Sequence, residues 1–219
     1  LKTVKTFGSN WSGGLNIIKA TAHISDIKVE NNIGEDSINF VKSDVVTEGD
    51  LVFSNIDHDA LDVDFGKFSF SRIRCDLVGN DCLDTSDAVI NGDLVAGANI
   101  QDKLVSFGER TKATINKIDS EHTSTVLAVK DGSTVSVATI SSNNSKINIA
   151  IFEKKNFFGH SVLTVGEILS PEKKDEDKIL VADGETFTLG THQILGALSS
   201  KKIKTLMYGG IDAESPERK

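Results

Sequence analysis

Proline and cysteine are scarce in this chain of 219 residues, with two of each, and helical periodicity is scarcer still. With 18 glycines beside those two prolines, the composition is not that of a disordered linker. No stretch approaches the roughly 20 apolar residues of a spanning helix, so no membrane span is expected. No basic excess is present: net charge is −8, with acids and bases mixed along the chain, which argues against nucleic-acid binding. One Trp and one Tyr supply few platforms for stacking sugar rings. There is no Gly-rich phosphate loop, no Ser nucleophile elbow and no Cys–His pair in context. The five histidines, His23, His58, His122, His160 and His192, show no metal-ligand spacing and read as surface residues. No basic-then-apolar leader is visible and the chain opens on Leu1, which predicts a processed product or part of a longer chain or assembly.

What is present is a strand-and-turn pattern. Val, Ile, Leu and Phe recur in short alternating runs broken by Asn, Asp, Gly and Ser. Cut before each run, the chain yields segments starting at Leu15, Ile38, Leu61, Leu83, Leu104 and Val126, of 23, 23, 22, 21, 22 and 21 residues; a seventh opens at Ile147. Each opens with a short strand: Leu15/Ile17, Ile38/Phe40, Leu61/Val63, Leu83/Thr85, Val126/Ala128 and Ile147/Ile149. A second strand follows at Ala22/Ile24, Phe68/Phe70, Ala88/Ile90, Ala113/Ile115 and Val135/Val137, and a third apolar point at Ile56, Ile73, Ile118 and Ile140. Three short strands in each unit predict an all-β, right-handed parallel β-helix of about seven to eight coils. The expected organisation is a cap or partial coil over 1–14 with Trp11 on its apolar end, repeats over 15–169, and further strands over 170–219. In that last part ILVADGETFTLG and KIKTLMYGG read as strands, SPEKKDEDK as a charged loop and IDAESPERK as a frayed tail.

Cys75 and Cys82, seven residues apart, predict a short disulfide loop in an oxidising compartment; two free core thiols are the alternative. The sequons at Asn10 and Asn143 are too common by chance to add weight. Together these suggest an extracellular or cell-surface location.

Coil ends are acidic. Alignment of GEDS, DHDA, GNDC and IQDK puts Asp36, Asp59, Asp81 and Asp102 in one column, with Asn16, Asn39, Asp62 and Asp84 in a second and Asp64 beside them. Asp and Asn favour turns by capping their own backbone, so a scaffold reading is natural. Stacked like charges are costly, however, unless something offsets them. Ca²⁺ held by Asp59, Asp81 and Asp84 would do so, with Asp62, Asp64, Asp84 and Asp102 as further binding carboxylates; no cofactor is otherwise required. A carboxylate pair with split pKa values is the catalytic alternative, with His58 placed beside Asp59 to shuttle protons.

The β-helix pattern resembles the pectin-lyase-like superfamily. DHDALD at 57–62 is similar to the N-T-D-G-I-D stretch of polygalacturonase-type glycosidases, and GNDCLD at 79–84 to their G-D-D-C stretch one coil on. The resemblance implies Asp59 and Asp81 as catalytic acids, with Asn80 where a third acid belongs. Their H-G motif is replaced by Gln101-Asp102-Lys103, and their basic R-I-K clamp by Phe107-Gly108-Glu109-Arg110. AVKDGSTVSV and IFEKKNFFG resemble β-helix segments attached to spore-coat-type kinase-like (CotH-type) domains of large secreted proteins. The favoured expectation is a non-catalytic β-helix module, a scaffold or a contact surface for a glycan or another protein. The rival is a polysaccharide hydrolase or lyase.

Overall fold

The computed structural model describes residues 13–170 and 178–209. Trp11, the Asn10 sequon, the bulk of the charged loop and the 211–219 tail lie outside the described residues. In chain order the strands are β1 (Gly13–Ile18), β2 (Thr21–Ile24), β3 (Ile27–Asn32), β4 (Asp36–Val41), β5 (Asp44–Ile56), β6 (Asp59–Asp64), β7 (Lys67–Val78), β8 (Leu83–Ser86) and β9 (Val89–Ile100). They continue as β10 (Lys103–Gly108), β11 (Lys112–Glu121), β12 (Thr125–Lys130), β13 (Thr134–Asn143), β14 (Ile147–Phe152), β15 (Val162–Leu169), β16 (Ile179–Val181), β17 (Thr186–Leu189) and β18 (His192–Leu195). One helix among the described residues, α1 (Ser200–Tyr208), follows.

The strands stack into a β-solenoid of about seven turns, consistent with a right-handed parallel β-helix. One sheet runs β1-β4-β6-β8-β10-β12-β14-β16. The other runs β2-β5-β7-β9-β11-β13-β15-β17-β18, with β3 also paired to β5. The second and third strands expected in each coil are merged in β5, β7, β9, β11 and β13, which are 10 to 13 residues long.

Inward side chains form columns because each residue meets its counterpart one coil on. Leu15, Ile38, Leu61, Leu83, Val105, Leu127, Ile149 and Ile179 make one such column. This corrects two expected positions. Leu127/Val129 point inward rather than Val126/Ala128; in the next coil Ile149 points inward as expected, with Ile151, whereas Ile147 pairs with Thr125 and packs with Ile203 of α1. In β12 and β14 every residue is buried, so alternation carries no parity signal there. The third apolar column is Leu51, Ile73, Val95, Ile118, Ile140 and Ile168; Ile56 instead pairs with Val78.

The turns are set by left-handed residues at the same pitch. Asn31, Asn55, Leu77, Asn99, His122 and Asn144 all have φ between 50° and 58°. Asparagine tolerates this region best among residues with a Cβ, which explains its recurrence. Asn55 also donates its side-chain amide to Asn31 Oδ1 at 2.7 Å. The Cys75–Cys82 disulfide forms, with Cα atoms 6.0 Å apart, and ties the end of β7 across one of these turns to β8.

Within KIKTLMYGG, residues 202–208 are helix rather than strand. Ser199 is the N-cap, accepting from Lys202 N–H, and Gly209 closes the helix at φ 78°. Ile203 and Met207, four apart, face the fold; Ile203 is fully buried among Ile147, Ala150, Phe152, Leu180 and Ala182. The helix therefore covers the outward face of the first sheet where that face turns apolar. At the far edge of the second sheet, β18 pairs antiparallel with β17.

One glycine is dictated by packing. Gly92 pairs with Phe70, whose ring stacks on Phe68 at 5.0 Å between centroids. A Cβ at Gly92 would lie 2.1 Å from Phe70 Cζ, so the ring beneath this half-buried position would have to shift. Gly92→Ala is expected to lower stability in urea unfolding by about 1–3 kcal/mol. Adding Phe70→Leu is expected to restore part of that loss.

Candidate functional site

The outward face of the first sheet carries three side-chain columns. The middle one reads Asn16, Asn39, Asp62, Asp84, Ser106, Ala128, Ala150 and Leu180. It runs from amide through acid to apolar, and α1 covers the apolar end. The third column reads Ile18, Val41, Asp64, Ser86, Gly108, Lys130 and Phe152. The first opens with Asp36 opposite Asp59. At the 22-residue offset that pairs Leu61 with Leu83 and Leu83 with Val105, it continues through Asp81 to Lys103 and then Thr125.

Lys103 corrects the expected column, in which Asp102 followed Asp81. Asp102 sits one residue off, its N–H donating to Asn80 O. Lys103 is fully buried, and its ammonium donates to both oxygens of Asp81 at 3.1 Å and to Asp102 Oδ2 at 2.5 Å. Its backbone N–H also donates to Asp81 Oδ1 at 3.0 Å. Burial works against the ammonium, but Asp81 and Asp102 hold its pKa well above the ordinary lysine value. Burial pushes the Asp81 carboxyl up against the opposing pull of Lys103. Tyr208 of α1 lies over this knot, with Lys103 Nζ 5.9 Å from the ring centroid. Burial there pushes the phenol up to about 12.

Beside the knot lies an open groove of about 860 Å³. Asp36, Asp59, Asp62, Asp64 and Asp84 line it, with Glu35, Asp57 and His58 along one side. Lys130, Lys154, Lys155 and Glu109 line it as well. Lys155 pairs with Glu109 Oε1, and Ser86 Oγ donates to Glu109 Oε2. Burial opposes the Glu109 charge, but these two donors hold its carboxyl below the ordinary value. The Lys154 and Lys155 N–H groups both donate to Asp131 Oδ1, at 2.7 and 2.6 Å.

The floor is electrostatically loaded. Burial, then Asp64, Asp84, Asp36 and Asp59 around it, push the Asp62 carboxyl well up. Burial first, and Asp84 next, push Asp64 up to about 6. Asp59 Oδ1 accepts the N–H of Asp81 in the next turn at 2.7 Å, and Asp84 Oδ1 accepts the Thr85 N–H within β8 at 3.0 Å.

Of the residues singled out in the sequence, Asp59, Asp62, Asp64, Asp84 and His58 reach the groove. Asp81 and Asp102 do not, because Lys103 takes their oxygens. Asp81 is therefore not opposed to Asp59 across open space as an acid–base partner would be. Nor does the trio Asp59, Asp81 and Asp84 present a free oxygen set for Ca²⁺, since both Asp81 oxygens face an ammonium. Lys154 and Lys155, adjacent in sequence, both belong to the groove rim. Lys103 and Lys130 were legible only through register: they fall 22 residues after Asp81 and Gly108.

No family model, no curated protein and no solved structure gives a significant match to the chain.

The crowded floor has a pH signature. Asp64 holds its proton to about pH 6 in the fold, against 3.8 ordinarily, so the folded state binds more protons between those values. This contribution falls as pH rises through that window, and its cost is fully present above pH 6. The wild-type melting temperature is expected to rise from pH 7 to pH 5, and Asp64→Asn to remove part of that rise. At pH 7 the variant is expected to be more stable, by on the order of 1 kcal/mol or about 3 °C, since water still reaches this side chain. Calorimetry of both proteins at the two pH values checks this.

Proposed function

We propose that this chain is a non-catalytic β-solenoid module of a secreted or surface protein, and that its acidic groove is a contact surface for a basic segment of a partner. The observation that carries this reading is the alignment of Asp36, Asp59, Asp62, Asp64 and Asp84 along one open groove, where burial and, after it, mutual repulsion raise the Asp62 and Asp64 pKa values. A cationic side chain placed among them relieves that repulsion, so binding is driven by charge the fold has already concentrated. A polyuronate would bring carboxylates to the same floor, which disfavours it. Aromatic platforms for neutral sugar rings are not among the groove's lining residues. The disulfide is compatible with an oxidising, extracellular setting.

A second reading has one observation in its favour. A carboxyl near pKa 6 in an open groove has the protonation behaviour of a general acid, so Asp64 with Asp62 or Asp84 supports glycan cleavage better than Asp59 with Asp81 does. The pectin-lyase-like resemblance points the same way. Against it stands the sealed Asp81, the position that resemblance casts as catalytic.

The two readings separate in one experiment. Wild-type protein is expected to bind a fluorescent oligolysine, with affinity falling as salt rises. The Asp62→Asn/Asp64→Asn variant is expected to bind about 10-fold more weakly or worse, the equivalent of about 1.4 kcal/mol. Polygalacturonate and neutral glycans should remain intact in the wild-type incubations. Cleavage that disappears in Asp64→Asn establishes the second reading instead.

A further inference from the structure

Away from the groove floor, the turn after β14 differs from all its counterparts. The equivalent turns after β4, β6 and β8 are two residues long, whereas the chain between β14 and β15 spans Glu153 to Ser161. That excursion ends by placing His160 against the last coil. His160 Nδ1 lies 3.3 Å from Glu153 Oε1 and 4.0 Å from Glu185 Oε1. One ligand atom from each of the three residues lies within 4.8 Å of the other two. The imidazole reaches this point across Gly184, at φ 84°, where a Cβ would come within 2.5 Å of the ring. A glycine is thus required beside Glu185 both for the backbone turn and for the histidine's approach.

Glu185 is what makes this more than a surface ion cluster. Its side chain is 0% exposed. Its Oε2 accepts the Ser161 N–H, which ties the last coil to the one before it. Its Oε1 is buried without a hydrogen-bond partner and points toward the other two ligand atoms. The 4.0 Å to His160 Nδ1 is too long for a hydrogen bond. A buried carboxylate oxygen left unsatisfied is costly, and a cation is the direct way to satisfy it.

We propose that Glu153, His160 and Glu185 form a binding site for a divalent transition metal, Zn²⁺ in the first instance. One imidazole nitrogen with two carboxylate oxygens is a borderline donor set that favours Zn²⁺ over Ca²⁺ or Mg²⁺, which take oxygen. The spacings fit: a tetrahedral Zn²⁺ with bonds of about 2.1 Å places its ligand atoms about 3.4 Å apart. The observed 3.3 Å already matches, while the 4.0 Å and the Glu153–Glu185 separation, within 4.8 Å, need side-chain contraction onto the ion. The His160 side chain is 59% exposed and that of Glu153 24%, so the metal has a route in from solvent and room for a water as fourth ligand. Because Glu153 and His160 bracket the excursion carrying Lys154 and Lys155, the ion would also fix the basic rim of the groove. The site does not depend on what the groove binds.

The test is zinc titration of the untagged chain by isothermal calorimetry, with thermal melts alongside. One Zn²⁺ per chain, micromolar or tighter, is expected, with a rise in melting temperature that Ca²⁺ at the same concentration does not give. His160→Gln, an exposed change that leaves the Glu185–Ser161 contact intact, is expected to weaken binding by at least about 10- to 100-fold, which is the cost of removing even an outer-shell partner. His192→Gln, on the β18 edge, is expected to leave it unchanged. Absence of stoichiometric zinc binding to the wild type overturns the proposal. So does zinc binding that survives His160→Gln, or Ca²⁺ binding of equal strength. If His160 is only an imidazolium paired with two carboxylates, the first of these results is obtained.

Discussion

Coil stacking puts every side chain of this protein about 4.8 Å from its counterpart one coil away. For apolar residues the constraint is pure gain, since Ile, Leu, Val and Phe pile into columns that no single coil could bury. For acids it is a liability, because a carboxylate at a repeated position is placed beside its own copies. Asp36 faces Asp59, and Asp62 faces Asp84, for this reason. The molecule resolves the liability in two ways along the same face. Toward the N-terminal coils the charges line a groove, and burial with neighbouring carboxylates raises the Asp62 and Asp64 pKa values there. At the centre, Lys103 enters the first column, joins Asp81 and Asp102, and is buried beneath Tyr208 of α1. Beyond that point the face becomes apolar and the helix covers it.

The same constraint decides what could be read from the sequence. The repeat length and the opening strand of each early coil were legible because apolar and polar residues alternate cleanly there, and the disulfide because its two cysteines lie seven apart. In β12 and β14 residues of both parities are buried, and α1 packs on the outer face of β14. Val126 then looks as inward as Leu127 and the register slips by one, while Ile147 is apolar because it packs with Ile203 of α1. The helix itself left signals that the strand-rich context masked, namely Ser199 as N-cap, Ile203 and Met207 four apart, and Gly209 as terminator. Of the site, the acids were legible and the bases were not. Asp59, Asp62, Asp64 and Asp84 stand out as a cluster in the sequence. Lys103 acquires meaning only once it is known to sit 22 residues after Asp81 on the same column.

Lys103 also changes how the polygalacturonase-type resemblance reads. The local match extends to Asp81, but the coil that carries the family's histidine carries a lysine here, and that lysine closes over the matched aspartate. An acid–base pair across a groove needs both carboxyls in reach of a ligand. Here one is in the groove and the other is under a helix. What remains open is a strip of negative charge with a basic edge held by the excursion between β14 and β15, an arrangement suited to steering and seating a charged partner.

The account rests most heavily on the buried knot, and unfolding energetics of Lys103→Met test it most directly. Removing the ammonium strands two buried carboxyls, so urea unfolding should show a loss of about 3–5 kcal/mol. Replacing Asp81 by Leu in the same chain should recover more than half of it, a coupling only contacting residues show. A Lys103→Met loss under about 1 kcal/mol, or strictly additive effects of the two changes, would contradict the account, because it would mean that Asp81 is not held by Lys103 and is free to act in the groove.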